Sequence, residues 1–109
     1  MAETHKVLGQ SNPTATTATV LYTVPAATQA VVSTLSIATL TSASATFRVA
    51  IRVAGAALSN AQHIAYDVSI TGNDSVMLTL GLSLGTGDIV SVYASTGNVA
   101  FSLFGVEIT

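Results

Sequence analysis

Large apolar side chains alternate with small or polar ones along most of this chain, most clearly in the segment Ala45–Val53. There the odd-numbered positions from Phe47 to Val53 are apolar, whereas Arg48 and Arg52 lie at even-numbered positions. Successive side chains of a β-strand point to opposite faces, so this period of two predicts a half-buried strand.

The same alternation, or a short apolar run bounded by turn residues, predicts seven further strands. We expect them at His5–Gly9, Val20–Val24, Gln29–Leu40, Ile64–Ile70, Val76–Leu84, Ile89–Ala94 and Val99–Ile108. In the strand that begins at Val76, all five large aliphatic residues at even positions fall on one side. Residues 54–62 have some helical propensity but are too few for a stable helix, so a loop or single turn is expected there.

Seven or eight short strands, about ten residues apart and without a convincing helix, predict an all-β fold. We expect a single antiparallel β-sandwich or jelly roll, since no crossover helices are available for a parallel sheet. An immunoglobulin-like sandwich has the same pattern, so the connectivity stays open. The 109 residues are expected to form one domain, with residues 1–6 as a flexible N-terminal arm.

Charged residues make up only 7% of the chain, against about 25% in an ordinary soluble domain. The net charge is −2, and Lys6, Arg48 and Arg52 are the only bases, so nucleic acid is not an expected partner. A surface with so little charge favours association between copies. The chain itself is therefore the first expected partner.

Neither a membrane span nor a disulfide framework is expected. The segment Val7–Phe47 contains no charged residue, yet hydroxyl and amide side chains and two prolines interrupt it too often for a membrane helix. The first residues lack a basic region followed by an apolar stretch, so no secretory signal is expected. Cysteine is absent, which excludes disulfides and thiolate metal sites.

The residues capable of catalysis or metal binding are few, and no spacing among them is diagnostic. His63 lies at the end of a loop, and a metal site there would need a further ligand from elsewhere in the chain, so we interpret it as an ordinary loop histidine and not as a metal ligand. Asp74 and Asp88 follow turn residues and are expected to cap those turns. The segment Gly85–Gly87 joins two strands, whereas a phosphate loop leads into a helix. We expect no enzyme activity, cofactor or metal.

Arg48 and Arg52 lie four residues apart on one strand, and therefore share a face at roughly 13 Å spacing. They could be solvated, or could pair with Asp67 or Glu107 on neighbouring strands. Alternatively, they could contact a neighbouring subunit on an otherwise neutral surface. The candidate assembly contacts are therefore His5 and Lys6 of the arm together with Arg48 and Arg52.

Several segments, spread over most of the chain, resemble small virion proteins of tailed bacteriophages. The segments are Lys6–Gln10, Leu21–Thr28, Phe47–Arg52, Ile64–Val68, Leu80–Leu84 and Phe101–Ile108. The signature is one of strands and turns, and it includes no catalytic motif. The best match is the capsid decoration, or cement, type.

This resemblance implies a non-enzymatic jelly-roll protein that stabilises the phage head. Such a protein is made in the cytoplasm of the bacterial host and, as a homotrimer, binds the major capsid protein on the capsid exterior. Residues 1–6 and the loops 11–17 and 54–62 are the expected contacts with the capsid. A baseplate, neck or tail-fibre subunit is the first alternative.

A receptor-binding or carbohydrate-binding jelly roll is the second alternative. Sugar-binding modules need exposed aromatic rings beside polar turns. Tyr66 and Tyr93 are the possible platforms. The other large aromatic residues are expected in the core or an interface, and these are Tyr22, Phe47, Phe101 and Phe104.

Overall fold

The computed structural model describes residues 2–109, which fold into two packed antiparallel sheets of four strands each. The strands are β1 (Glu3–Ser11), β2 (Thr19–Thr23), β3 (Gln29–Thr39), β4 (Ala45–Arg52), β5 (His63–Ile70), β6 (Ser75–Leu84), β7 (Ile89–Ala94) and β8 (Val99–Ile108). Two 3-10 turns, Val53–Gly55 and Asn60–Gln62, lie in the connection between β4 and β5. All eight predicted strands are therefore present, and the predicted loop at 54–62 contains only short turns.

The strand order decides between the two sandwich types that the sequence left open. One sheet has the order β1-β8-β3-β6 and the other has the order β2-β7-β4-β5. Only β4 and β5 are consecutive strands that pair with each other, and every other connection passes from one sheet to the other. This is jelly-roll connectivity, in which two interlocked Greek keys place the first and last strands side by side.

The core consists of the inner faces of the two sheets, which alternate with outward-facing positions along each strand. Phe47 of β4 and Phe101 of β8 meet edge to face across the sandwich, with ring centroids 6.3 Å apart. Tyr22 is buried with them, as predicted. Phe104, by contrast, is half-buried on the outer face of β8.

The strand predicted from Ala45 to Val53 ends one residue early, and Val53 is 65% exposed instead of buried. The cause is the backbone at Ala54 and Gly55, which have φ of 54° and 73° and turn the chain out of the sheet. The Ala54 N–H is held there by the Asp88 carboxylate at 2.8 Å. Regular alternation could not reveal this turn.

Residues 2–6, expected as a flexible arm, are instead held along the edge of a sheet. Glu3–Lys6 is the first part of β1 and pairs with the end of β8. Ala2 and Thr109 exchange both of their backbone hydrogen bonds, each 2.8 Å long. The last strand supplies unpaired backbone groups on that side, and the N-terminal segment satisfies them. Met1 lies outside the described residues.

Candidate functional site

Both arginines lie on the outer face of the β2-β7-β4-β5 sheet, as the strand period predicted. Arg48 of β4 is directly opposite Tyr93 of β7, so their side chains project side by side from the same face. The other neighbour of β4 is the edge strand β5. The residues that β5 presents to Arg48 depend on an irregularity in that strand.

A β-bulge in β5 turns two side chains toward Arg48. Phe47 pairs with Val68 and Val49 pairs with Ala65, so Tyr66 and Asp67 together face Arg48 alone. Asp67 has φ of 51°, a left-handed conformation that aspartate tolerates better than most residues. Among residues 2–109, it is the only non-glycine residue with positive φ inside a strand. The extra residue re-aims the local side chains, as bulges commonly do.

The guanidinium of Arg48 is consequently held on three sides. Its Nε donates to Asp67 Oδ1 at 2.7 Å, and its Nη2 donates to Oδ2 at 3.2 Å. Its central carbon lies 4.1 Å from the ring centroid of Tyr66 and 4.3 Å from that of Tyr93. Two stacked rings and a two-point ion pair fix the plane of the guanidinium, as lysine could not.

This arrangement neutralises the site electrically. The hydrogen bond from Arg48 holds the pKa of the Asp67 carboxyl below its usual range, and the same bond raises the pKa of Arg48. Both groups therefore stay ionised at neutral pH and compensate each other. The surface around Arg48 is therefore polar but has no excess charge.

A shallow groove runs beside this cluster, and we call it the aromatic groove. Its volume is ≈ 180 Å³. The connection between β4 and β5 forms one wall, and the sheet forms the floor. The lining residues are Ala18, Arg48, Leu58, Ser59, Asn60, His63, Tyr66 and Tyr93. The ring of His63 meets that of Tyr66 edge to face, with centroids 4.9 Å apart.

A second polar cluster joins the two sheets near the chain termini. Glu107 of β8 accepts a hydrogen bond from the Tyr22 hydroxyl at 2.6 Å and pairs with the Lys6 ammonium at 2.9 Å. Both contacts lower the pKa of the Glu107 carboxyl, and the hydrogen bond from Tyr22 has the larger effect. Burial is the main cause that raises the pKa of the Tyr22 hydroxyl, and the hydrogen bond to the Glu107 carboxylate raises it further. The cluster ties β1, β2 and β8 together.

The outer face of the β1-β8-β3-β6 sheet differs from that of its partner sheet. By strand alternation, it presents small hydroxyl and aliphatic side chains, and we call it the neutral face. Its central residues are Val7, Val31, Ser36, Met77, Thr79, Ser102, Phe104 and Val106. In the described part of the chain, Glu3 and His5 are the only ionisable residues of this face, and both lie on its edge strand β1.

The sandwich is closed along one side and open along the other. Leu8 and Leu21 seal the side where β1 and β2 lie. On the opposite side, several inward-facing residues of β5 and β6 reach solvent, although Ile70 and Leu84 at the strand ends are buried, and we call this the open seam. Its residues are Ala65, Val68, Leu78, Leu80 and Leu82. Val68 is 41% exposed although it faces inward beside Phe47, and the three leucines are half-buried.

The structure does not bring the four candidate assembly contacts together. His5 is exposed on the edge strand β1, and neighbouring Lys6 pairs with Glu107 within the chain. Arg48 pairs with Asp67, one of the two acidic residues considered as partners for the arginines. Arg52 donates from Nε to the Ala56 carbonyl at 2.7 Å.

Sequence reasoning missed the aromatic groove and the open seam. Tyr66 and Tyr93 were named as possible platforms, but nothing in the sequence placed them on either side of Arg48. Of the two loops expected at a capsid contact, 54–62 forms a wall of the groove. In loop 11–17, the Asn12 amide donates to the Gly97 and Val99 carbonyls at 2.9 and 2.8 Å.

No family model and no curated protein matches this chain. Within residues 2–109, no three histidine or acidic side chains converge as a metal ion would require. The same residues include no helix of the length and hydropathy needed to cross a membrane.

Proposed function

We propose that this protein is a non-enzymatic structural subunit that associates with copies of itself, as a homotrimer, through the open seam. The observation that carries the proposal is the incomplete burial of an aliphatic row that belongs to the core. Leu78, Leu80 and Leu82 are half-buried at the edge strand β6. Completing the burial of a leucine contributes on the order of 1.5–3 kcal/mol when the whole side chain leaves water.

The backbone at the seam favours packing of side chains over extension of a sheet. β5 has extra residues at two places relative to β4, and β6 has one extra residue opposite Ser33 of β3. Bulges of this kind prevent a straight edge from pairing with another strand. Neighbouring subunits would therefore meet through the aliphatic side chains, and in a closed ring each copy can use the same two surfaces.

A charge placed in the open seam tests this proposal. We expect Val68→Lys to shift the protein toward monomer, because assembly would bury an unpaired ammonium. Ser69→Lys is the matched control, since Ser69 is also exposed but pairs with Thr46 on the outer face. Light scattering after size exclusion measures both masses. Equal masses for the two variants would contradict the proposed interface.

In its fuller form, the proposal places this subunit on the capsid exterior of a tailed phage. The resemblance of segments such as Phe47–Arg52 to decoration proteins supports it, and a jelly roll is the fold that the resemblance implies. The neutral face offers a separate surface for the major capsid protein, since interface centres are poor in charged residues. The protein would be made in the cytoplasm of the bacterial host.

Co-sedimentation with phage heads that lack this protein tests the decoration role. We expect the wild type to sediment with the heads, and Met77→Lys on the neutral face to do so less. Val20→Lys is the control, because Val20 is also an exposed apolar residue but lies on the outer face of the other sheet. Failure of the wild type to sediment would contradict the role. Association instead with isolated baseplates, necks or tail fibres, as a ring of a different order, would favour the alternative.

A further inference from the structure

We propose that the aromatic groove binds a neutral sugar ring of a glycan. This function goes beyond assembly, because the groove opens on the outer face of the β2-β7-β4-β5 sheet, whereas the open seam consists of inward-facing residues of β5 and β6. The bulge and the left-handed backbone at Asp67 place Tyr66 and Asp67 around Arg48. Backbone strain of this kind clusters at functional sites.

The chemistry of the groove suits a ligand that is both apolar and rich in hydroxyl groups. Tyr66 is 53% exposed although Arg48 and His63 both contact its ring, so the part of the ring that these residues leave uncovered is open to a ligand. Aromatic rings offer a flat apolar surface to the C–H groups of a sugar, while the phenol hydroxyl remains available for hydrogen bonding. Within residues 2–109, no protein group bonds the Tyr66 or Tyr93 hydroxyl or the Asn60 amide. These donors and acceptors surround the groove.

The size and charge of the groove narrow the ligand class. Its volume of ≈ 180 Å³ is below the roughly 300–1,000 Å³ of pockets for drug-sized ligands, so it accepts one ring-sized unit. Asp67 compensates the charge of Arg48 at 2.7 Å, so this arginine offers no uncompensated charge to a phosphate or carboxylate in the groove. A neutral sugar unit at the end or side of a longer glycan meets both conditions.

Binding to a printed array of neutral and sialylated glycans tests the proposal. We expect the wild type to bind neutral glycans, and Tyr66→Ala to lose roughly tenfold in affinity for the best of them. Met77→Ala, which removes an exposed apolar side chain from the neutral face, should bind as the wild type does. Asp67→Asn should gain binding to sialylated glycans, because it leaves Arg48 without its counter-charge.

The proposal would be overturned if the wild type bound no neutral glycan, whether or not it bound sialylated ones, or if Tyr66→Ala left the binding unchanged. Light scattering of the same variants separates this proposal from the assembly role. If Tyr66→Ala changed the subunit number, the groove would be a subunit contact and the sugar site would be refuted. A failed array with an intact trimer would refute the sugar site and leave assembly standing.

Discussion

Gly105 occupies a position where the two inner strands of one sheet come unusually close. A Cβ atom at this residue would lie 2.2 Å from the Val31 carbonyl oxygen and 3.1 Å from a methyl carbon of Leu8. The carbonyl belongs to the backbone of β3, so it cannot move aside as a flexible side chain could. The requirement for glycine arises from the packing of β8 between β1 and β3.

We expect Gly105→Ala to lower the free energy of unfolding by about 1–3 kcal/mol, as overpacking does in a tight core. Gly81→Ala is the matched control, because Gly81 also lies in a strand and has nothing within 4 Å of its would-be Cβ. Denaturant titration measures both changes. Equal losses would mean that the close approach to Val31 does not decide the stability.

Glu107 makes the stability depend on pH. Its carboxylate accepts bonds from Tyr22 and Lys6, so its pKa is lower in the folded chain than in the unfolded chain. A group of this kind stabilises the fold above its unfolded-state pKa, and that contribution disappears as the pH falls through the folded-state value. The window is therefore the acid range below about pH 5.

We expect Glu107→Gln to have a flatter fall in unfolding free energy between about pH 5 and about pH 3 than the wild type. Tyr22→Phe, which removes the first of the two donors, should give an intermediate slope. Denaturant titrations across this range measure the slopes. The same slope in all three proteins would show that Glu107 has no lowered pKa in the folded state.

At the scale of elements, β5 shows where the sequence was insufficient. Ile64, Tyr66, Val68 and Ile70 alternate regularly, so period two assigns them to one face. The structure keeps Val68 and Ile70 inward but turns Tyr66 outward at the bulge, so Tyr66 is exposed, as expected of a possible platform, against the strand period. A bulge is settled by pairing with β4, and pairing between distant segments leaves no mark in a local pattern. The strands themselves were predictable because their periodicity is local.

Because of the bulge, we expect two substitutions at Asp67 to rank in stability in the opposite order from their strand propensities. We expect Asp67→Val to destabilise the protein more than Asp67→Asn, although valine is the better residue in a regular strand. Both variants lose the ion pair, but asparagine tolerates the left-handed φ of 51° and valine does not. Midpoints of denaturant unfolding rank the variants. An equal or higher midpoint for Asp67→Val would contradict the bulged geometry.

At the scale of the whole molecule, the two outer faces and the seam divide the surface into chemically different parts. Both arginines lie on one face, and the opposite face is neutral. The low charge of the sequence predicted association, but composition does not say where the uncharged surface lies. Jelly-roll connectivity decides this, because it sets β5 and β6 at neighbouring edges and leaves their aliphatic side chains partly in water.

The absolute mass of the wild-type protein, measured by light scattering at several concentrations, tests the central claim of assembly most directly. We predict a stable species of three times the 11.0 kDa chain mass. A trimer that persists on dilution would agree with burial of the open seam between copies. A species that remains at the chain mass at every concentration would contradict it.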